Sequence, residues 1–314
     1  MKKKLVAGAV TLLSVVTLAA CANGTNKDIV TMKGDTITVS DFYDEIKTNQ
    51  GAQQYLFQMT INKVFEKEYG SKVSDKEVDK ELAKQKKQLG NQFDAYLAQQ
   101  GLTEETAKKQ IRSNMLLEYA VSQAAKKDIK ESDYKTAFES YTPEVTAQII
   151  KLDSEDKAKE VLEVAKAEGA DFAKIAKDNS TDTATKDKGG EVKFDSGTAD
   201  IPSQVKEAAF KLDENGISDV ITVSAGQNYS ASYYIVKLNK KTEKGSDWKK
   251  YEKRLKEIIV DGRKQDTNYI RSIIAKAMTN ANIKVKDDAF KSTFNQYLQN
   301  IGVETSDSSS SSKK

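Results

Sequence analysis

The sequence predicts an α+β protein: helical N- and C-terminal arms packed together, with a small α/β domain inserted between them. Three observations carry this. Apolar residues recur at helical spacing from about residue 40 to 141, and again from 246 to 298. Between those stretches, short β-type runs alternate with short helical ones in the order β-α-α-β-α-β-β. The 314 residues include only two prolines, which favours helices over a sandwich with proline-studded turns. The C-terminal helices are too few and too short to form a domain alone. The simplest arrangement packs them on the N-terminal helices and makes the middle segment an insertion whose ends lie close together.

Composition narrows the chemistry. The length suits about two domains, and 38% hydrophobic with 31% charged residues describes a soluble, polar, folded chain. There is no histidine, so Ser-His-Asp and Cys-His nucleophile systems and histidine metal sites are excluded. The single cysteine, Cys21, allows no intramolecular disulfide and no thiol nucleophile elsewhere. No metal or cofactor is expected. Lys2, Lys3 and Lys4 account for the formal charge of +3, so the chain without residues 1–20 is balanced. A balanced chain argues against a nucleic-acid partner.

The N-terminus reads as an address. Lys2-Lys3-Lys4 precedes an apolar run from Leu5 to Leu18, shorter than the ~20 residues of a membrane-spanning helix. Ala19-Ala20 then precede Cys21, which predicts a signal peptide over 1–20. Leu18-Ala19-Ala20-Cys21 resembles the bacterial lipobox. That resemblance implies that Cys21 receives a diacylglycerol and becomes the new N-terminus. Two acyl chains anchor stably where one does not. Residues 21–28 then form the lipidated end and a polar tether. A plain secretory signal with an incidental cysteine is the alternative.

Each following element has a local reason. Ile29–Met32 and Thr36–Val39 flank Lys33-Gly34-Asp35 as a hairpin. Ser40 is the expected N-cap of a first helix with acids in its first turn. Leu56, Met59, Val64 and Phe65 form the apolar stripe of the next. Ser74 to Glu77 is a capping box, followed by Val78, Leu82 and Leu89. Gly90 and Gly101 punctuate. Thr103 caps a long helix with Ala107, Ile111, Met115 and Val121, and Ser132 opens a shorter one with Tyr134 and Phe138. Pro143 disfavours helix at Thr142 and marks the boundary.

In the middle segment, Val145–Leu152 is the first strand. Helices follow over Asp156–Lys166 and around Phe172, Ile175 and Ala176. Gly189-Gly190 turns into Glu191–Phe194, Ser203–Leu212 is a short helix, and Val220–Val223 and Tyr233–Leu238 close the sheet. Beyond Ser246, helices carry Trp248, Tyr251, Leu255, Ile258 and Ile259, and then Ile270, Ile273, Ile274 and Met278. Ile283–Val285 is expected as a strand, and Phe290, Phe294, Tyr297 and Leu298 as a last amphipathic helix. The Ser-rich tail 305–314 has too little apolar content to fold.

The middle segment, from T-A-Q-I-I-K-L through G-A-D-F-A-K-I-A-K-D-N-S-T-D, G-G-E-V-K-F and A-A-F-K-L to Y-Y-I-V-K-L, resembles a parvulin-type peptidyl-prolyl isomerase domain. With the lipobox and the flanking helices, the whole chain resembles PrsA-type foldases. These are membrane-anchored lipoproteins whose helical arms form a chaperone part around a parvulin insert. The resemblance implies a chaperone part over 29–142, an inserted domain over 143–241 and C-terminal helices over 242–304. It implies unfolded or newly exported polypeptides as partners, the outer face of a Gram-positive cytoplasmic membrane as location, and leaves a dimer open.

The family places two histidines in its site, and this chain departs from that pattern. In the first strand Gln148 stands at the histidine position, and in the last strand Tyr234 does. The acidic or thiol position falls at Asp182 or Thr183. Val205 stands where an aromatic usually lines the proline pocket and Ile201 where a methionine does, while Val192 and Phe194 keep an apolar lining. Gln148 and Tyr234 could bridge Asp182 as the histidines would, or be ordinary strand residues, and Asp182 could be a turn residue. The resemblance thus implies an isomerase with a substituted site, or a non-catalytic holdase. A solute-binding lipoprotein would need strand–helix alternation across the whole chain, and a structural adhesin would show repeats. Neither feature is present.

Overall fold

The computed structural model describes residues 27–225 and 230–298. The signal segment 1–20, Cys21 and the tail 305–314 lie outside the described residues. The elements begin with β1 (Asp28–Met32), β2 (Asp35–Thr38), α1 (Val39–Ile46), α2 (Gln50–Tyr69), α3 (Asp75–Leu89), α4 (Phe93–Gln99), α5 (Glu104–Asp128) and α6 (Glu131–Ser140). The middle segment contains β3 (Val145–Leu152), α7 (Glu155–Lys166), α8 (Phe172–Asn179), β4 (Glu191–Phe194), α9 (Ser203–Lys211), β5 (Ile221–Ala225) and β6 (Ser230–Lys240). The chain continues with α10 (Glu252–Gln265), α11 (Thr267–Asn280) and α12 (Lys291–Leu298). It clusters into two compact units, Met1–Gly70 with Ile274–Lys314, and Ser71–Ile273.

In the first unit, β1 and β2 form an antiparallel hairpin turned at Gly34, whose φ of 88° suits glycine. The first helix starts two residues earlier than expected. Thr38, not Ser40, is its cap: the Thr38 hydroxyl accepts the Asp41 N–H, and the Asp41 carboxylate accepts the Thr38 N–H. The α2 stripe is also rotated from expectation. Phe57, Ile61, Val64 and Phe65 are buried, whereas Leu56 is half-buried and Met59 exposed. The C-terminal segment explains the rotation. Phe57 stacks on Tyr297 at 4.2 Å and meets Phe294 edge-on at 5.3 Å. Gln53 donates to the Ala289 carbonyl and Tyr43 to Asp287. Residues 283–285 form no strand. Asn282, at φ 51°, and Ile283 donate back to the Thr279 and Met278 carbonyls and so close the end of α11.

The second unit joins helices and the small domain. The capping box at Ser74 is formed as expected, and Thr103 caps α5 as expected, through a box with Thr106. Along α5, Leu116, Ala120, Val121 and Ala125 are buried, and Met115 only partly. The α10 helix, burying Leu255 and Val260, packs on α5 and α6. Arg263 ties these helices by donating to the Ala125 carbonyl and to Asp133. In α6, Lys130 rather than Ser132 precedes the first turn, with its N–H bonded to the Asp133 carboxylate.

The small domain is an antiparallel four-stranded sheet in the order β4-β3-β6-β5. Side chains alternate between its faces. One face holds Val145, Ala147, Ile149, Phe194, Val236 and Leu238 with Val205 and Ala209 of α9. The other holds Ile150, Leu152 and Ile235 with residues of α7 and α8. The ends of this insertion meet. Tyr134 stacks on Trp248 at 5.1 Å, Phe138 and Tyr141 both contact Tyr251, and Lys244 donates to the Phe138 carbonyl.

One ion pair, with a buried carboxylate and a half-buried guanidinium, fixes the small domain to α10. Arg254 grips Asp195 with two parallel bonds, Nε to Oδ2 at 2.6 Å and Nη2 to Oδ1 at 2.8 Å. Tyr141, Thr198 and the Gly197 N–H also donate to the Asp195 carboxylate. Burial alone would raise the Asp195 pKa, but the Arg254 bond and charge, with the Thr198 and Tyr141 hydroxyls, hold it below the ordinary value. A carboxylate lowered on folding stabilises the fold above its unfolded pKa, and the contribution is lost as pH falls through the folded pKa. Arg254→Ala should cost about 3 kcal/mol in urea denaturation, because it strands a buried charge. The parent should lose this increment only below about pH 4, and the variant should lack that acid step.

Candidate functional site

The α9 face of the small sheet gathers most of the expected pocket residues. Val192 and Phe194 come from β4, Ile201 from the loop before α9, Val205 from α9 and Tyr234 from β6. They are not equally available. Phe194 and Val205 are 1% and 0% exposed and form part of the core, with Phe210 against the Phe194 ring. Val192, Ile201 and Tyr234 are half-buried against them and are more open to solvent than Phe194 and Val205.

The sheet register separates the two polar candidates. In β3, Ala147 and Ile149 pair with Leu238 and Val236, while Gln148 pairs with Lys237. With a period of two, Gln148 belongs to the α7/α8 face and Tyr234 to the α9 face. The Gln148 amide is used structurally, donating to the Gly189 carbonyl at 3.0 Å. On the α9 side, β3 presents Ile149, which has no polar group and is 3% exposed. Sequence reasoning missed Ile149, although its alternation with Val145 and Ala147 was a usable signal. The neighbouring turn is tight: a Cβ on Gly190, at φ 78°, would meet the Ile149 carbonyl oxygen at 2.5 Å.

Asp182 follows two residues that bind the end of β3. Tyr234 pairs with Lys151 of β3, and the Lys151 carbonyl accepts the Thr181 N–H. The buried Ser180 hydroxyl accepts the Lys151 and Asp182 N–H groups. Asp182 itself closes a turn by accepting the Ala184 N–H and the Thr185 hydroxyl at 2.6 Å. It is therefore a turn residue and a neighbour of Tyr234 at once. Burial raises the Tyr234 pKa, and the charges of Asp182 and Asp153 raise it further against a hydrogen bond with Ser232. Thr183 is exposed. The structure thus brings Tyr234, Val192 and Ile201 to one face, leaves Gln148 on the other, and keeps Asp182 near enough for its charge to act on Tyr234.

A second concavity lies in the same unit. Leu117 and Val121 of α5, Ile258 of α10, Ile270 of α11 and the backbone of 197–199 enclose about 750 Å³. Glu118, Asp261, Lys206 and Lys264 add charge to this lining. Gly197 allows the approach, since a Cβ there would collide with the Ile258 side chain. Among the described residues no cluster suited to a metal occurs, and no helix is long and apolar enough to cross a membrane.

Comparison with known proteins agrees with this geometry. The family model of the PPIC-type PPIASE domain matches residues 119–242. The Foldase protein PrsA of Streptococcus sanguinis is 62% identical over 302 residues, covering 96% of this chain and 90% of that protein. That of Streptococcus gordonii is 59% identical over the full length of both. The crystal structure of the Streptococcus pneumoniae foldase protein PrsA superposes with a TM-score of 0.81 at 54% identity, covering 86% of this chain and 99% of that one. The Lactococcus lactis foldase protein superposes with a TM-score of 0.64 at 39% identity.

The Tyr234 environment makes a measurable prediction. A nearby negative charge disfavours the tyrosinate, so ring resonances of Tyr234 followed by NMR should titrate above pH ~10. Asp182→Asn should move that titration downward, toward the ordinary tyrosine value.

Proposed function

Because the chain belongs to the PrsA family of foldase proteins, we propose that it acts outside the cytoplasm as a lipid-anchored foldase. Its clients are unfolded, newly exported polypeptides, held near the outer face of a Gram-positive cytoplasmic membrane. The anchor is Cys21, supported by the basic, apolar and small-residue run from Lys2 to Ala20. The chaperone part comprises 29–142 and 242–304, and the parvulin-like insert 143–241. The aromatic contacts that close Tyr134, Phe138 and Tyr141 on Trp248 and Tyr251 support that division. The cavity between α5 and α10 is a place for an apolar client side chain.

The insert, on this reading, binds prolyl segments on Val192, Ile201 and Tyr234 without catalysing their rotation efficiently. Rotation about the peptide bond faces a barrier of ~20 kcal/mol. Lowering it needs polar groups that favour the twisted amide over the planar one. The observation that carries the proposal is the placement of Gln148 and Tyr234 on opposite sheet faces, with Ile149 on the pocket side. The two polar groups do not converge on one amide. A second reading, isomerisation by Tyr234 with Asp182, draws on the Asp182 charge felt at the Tyr234 hydroxyl.

Two assays on the mature chain separate these readings. It should suppress aggregation of an unfolded client at stoichiometric amounts, and failure there would sink the foldase proposal. In a proline-limited refolding assay, catalytic amounts should leave the slow phase unchanged. Acceleration that disappears in Tyr234→Phe or Asp182→Asn would instead establish the second reading.

A further inference from the structure

The exposed large apolar side chains of the described residues are unevenly placed. Ile29, Val30, Met32, Ile37, Phe42, Tyr43, Tyr55 and Met59 lie in the first seventy residues, and only Tyr96 and Val164 lie elsewhere. Within the hairpin they have a pattern. Val30 pairs with Ile37 and Met32 with Asp35, so Val30, Met32 and Ile37 share one face with Asp35 at its turn end, and Thr31 and Thr36 the other. β1 is exposed throughout, but along β2 the two faces differ. Thr36 and Thr38 are half-buried where α1 packs on β2. Val30, Met32 and Ile37 are 48%, 50% and 39% exposed, with Phe42 of α1 also exposed. An isolated two-stranded hairpin is marginal in water, and this one turns its apolar side outward.

We propose that this apolar hairpin face, Val30, Met32 and Ile37 with Phe42 nearby, seats the chain on the bilayer interface beside its anchor. The inference rests on the reading that Cys21 is lipidated. The intervening chain then decides the occupant. From Cys21 to Asp28 there are seven residues, which span at most about 25 Å when fully extended. The hairpin therefore starts within that distance of the glycerol of the anchored lipid. Tethering makes the contact intramolecular, so a small apolar face suffices. Interfacial segments bury their apolar side only ~5–10 Å deep, a depth a hairpin side chain can reach. Seating the hairpin would fix how the chaperone part stands on the membrane, where a bare tether would leave it free.

The test uses the full chain, processed and lipidated in cells and reconstituted into phosphatidylglycerol vesicles. Cys21 is the only cysteine, so in the lipidated protein a thiol introduced by Met32→Cys takes a fluorescent label alone. Val164→Cys, exposed on α7 of the small domain, is the control. Nitroxide-bearing lipids should quench the residue-32 label roughly two-fold and leave the residue-164 label unchanged, as shallow interfacial burial requires. Vesicle-bound protein whose residue-32 label is unquenched by lipid and open to aqueous iodide overturns the proposal. So does a label shielded from both, which would assign the face to a second copy or a client. A chain that fails to float with vesicles overturns the anchor reading and this proposal with it.

Discussion

The Asp195–Arg254 pair is the contact on which the second unit depends. A carboxylate buried at the end of β4 is costly unless each of its lone pairs is used. Here a guanidinium fork, two hydroxyls and a backbone N–H all converge on it. The loop 195–199 is held by this arrangement, with Lys206 donating to the Ser196 and Thr198 carbonyls from the α9 side. Because that loop forms one wall of the cavity over α5 and α10, the same pair that docks the insert also shapes the concavity beside it. Arginine is the residue suited to the task, since a lysine cannot make the planar two-point contact.

Arginine is also scarce in this chain. Of 50 basic residues only Arg112, Arg254, Arg263 and Arg271 are arginines. Arg112 donates to the Val73 carbonyl and Asp75, and Arg263 to the Ala125 carbonyl and Asp133. Against a lysine-rich background, an arginine marks a place where geometry as well as charge is required. The lysines instead serve mostly surface pairs such as Lys109–Glu105 and Lys159–Glu155, which contribute little.

The parity of a β-strand governs the candidate site. One residue of shift in β3 moves a side chain from the pocket face to the opposite face. Gln148 is the polar residue of the first strand and was the natural choice by motif. The register with β6 assigns it to the α7/α8 side, where its amide secures the Gly189 turn. Tyr234 and Asp182 approach one another because Ser180 and Thr181 bind the end of β3 where Tyr234 pairs. These contacts join segments far apart in sequence, from 29 residues for Lys151 and Ser180 upward, and no local pattern encodes them.

What the amino-acid sequence determined by itself was local and periodic. The caps at Ser74 and Thr103, the strand β3 from Val145 to Leu152 and the turn at Gly189-Gly190 all follow from side-chain hydrogen bonding, alternation and backbone restriction within a few residues. The order of strands and helices in the insert was legible for the same reason. Tertiary structure alone decided which face each polar residue serves and which apolar residues of α2 are buried. Each of those outcomes depends on a partner distant in sequence: β6 for Gln148, and the C-terminal Phe294 and Tyr297 for Phe57. A helix or strand knows its own period, but only packing tells it which side is inside.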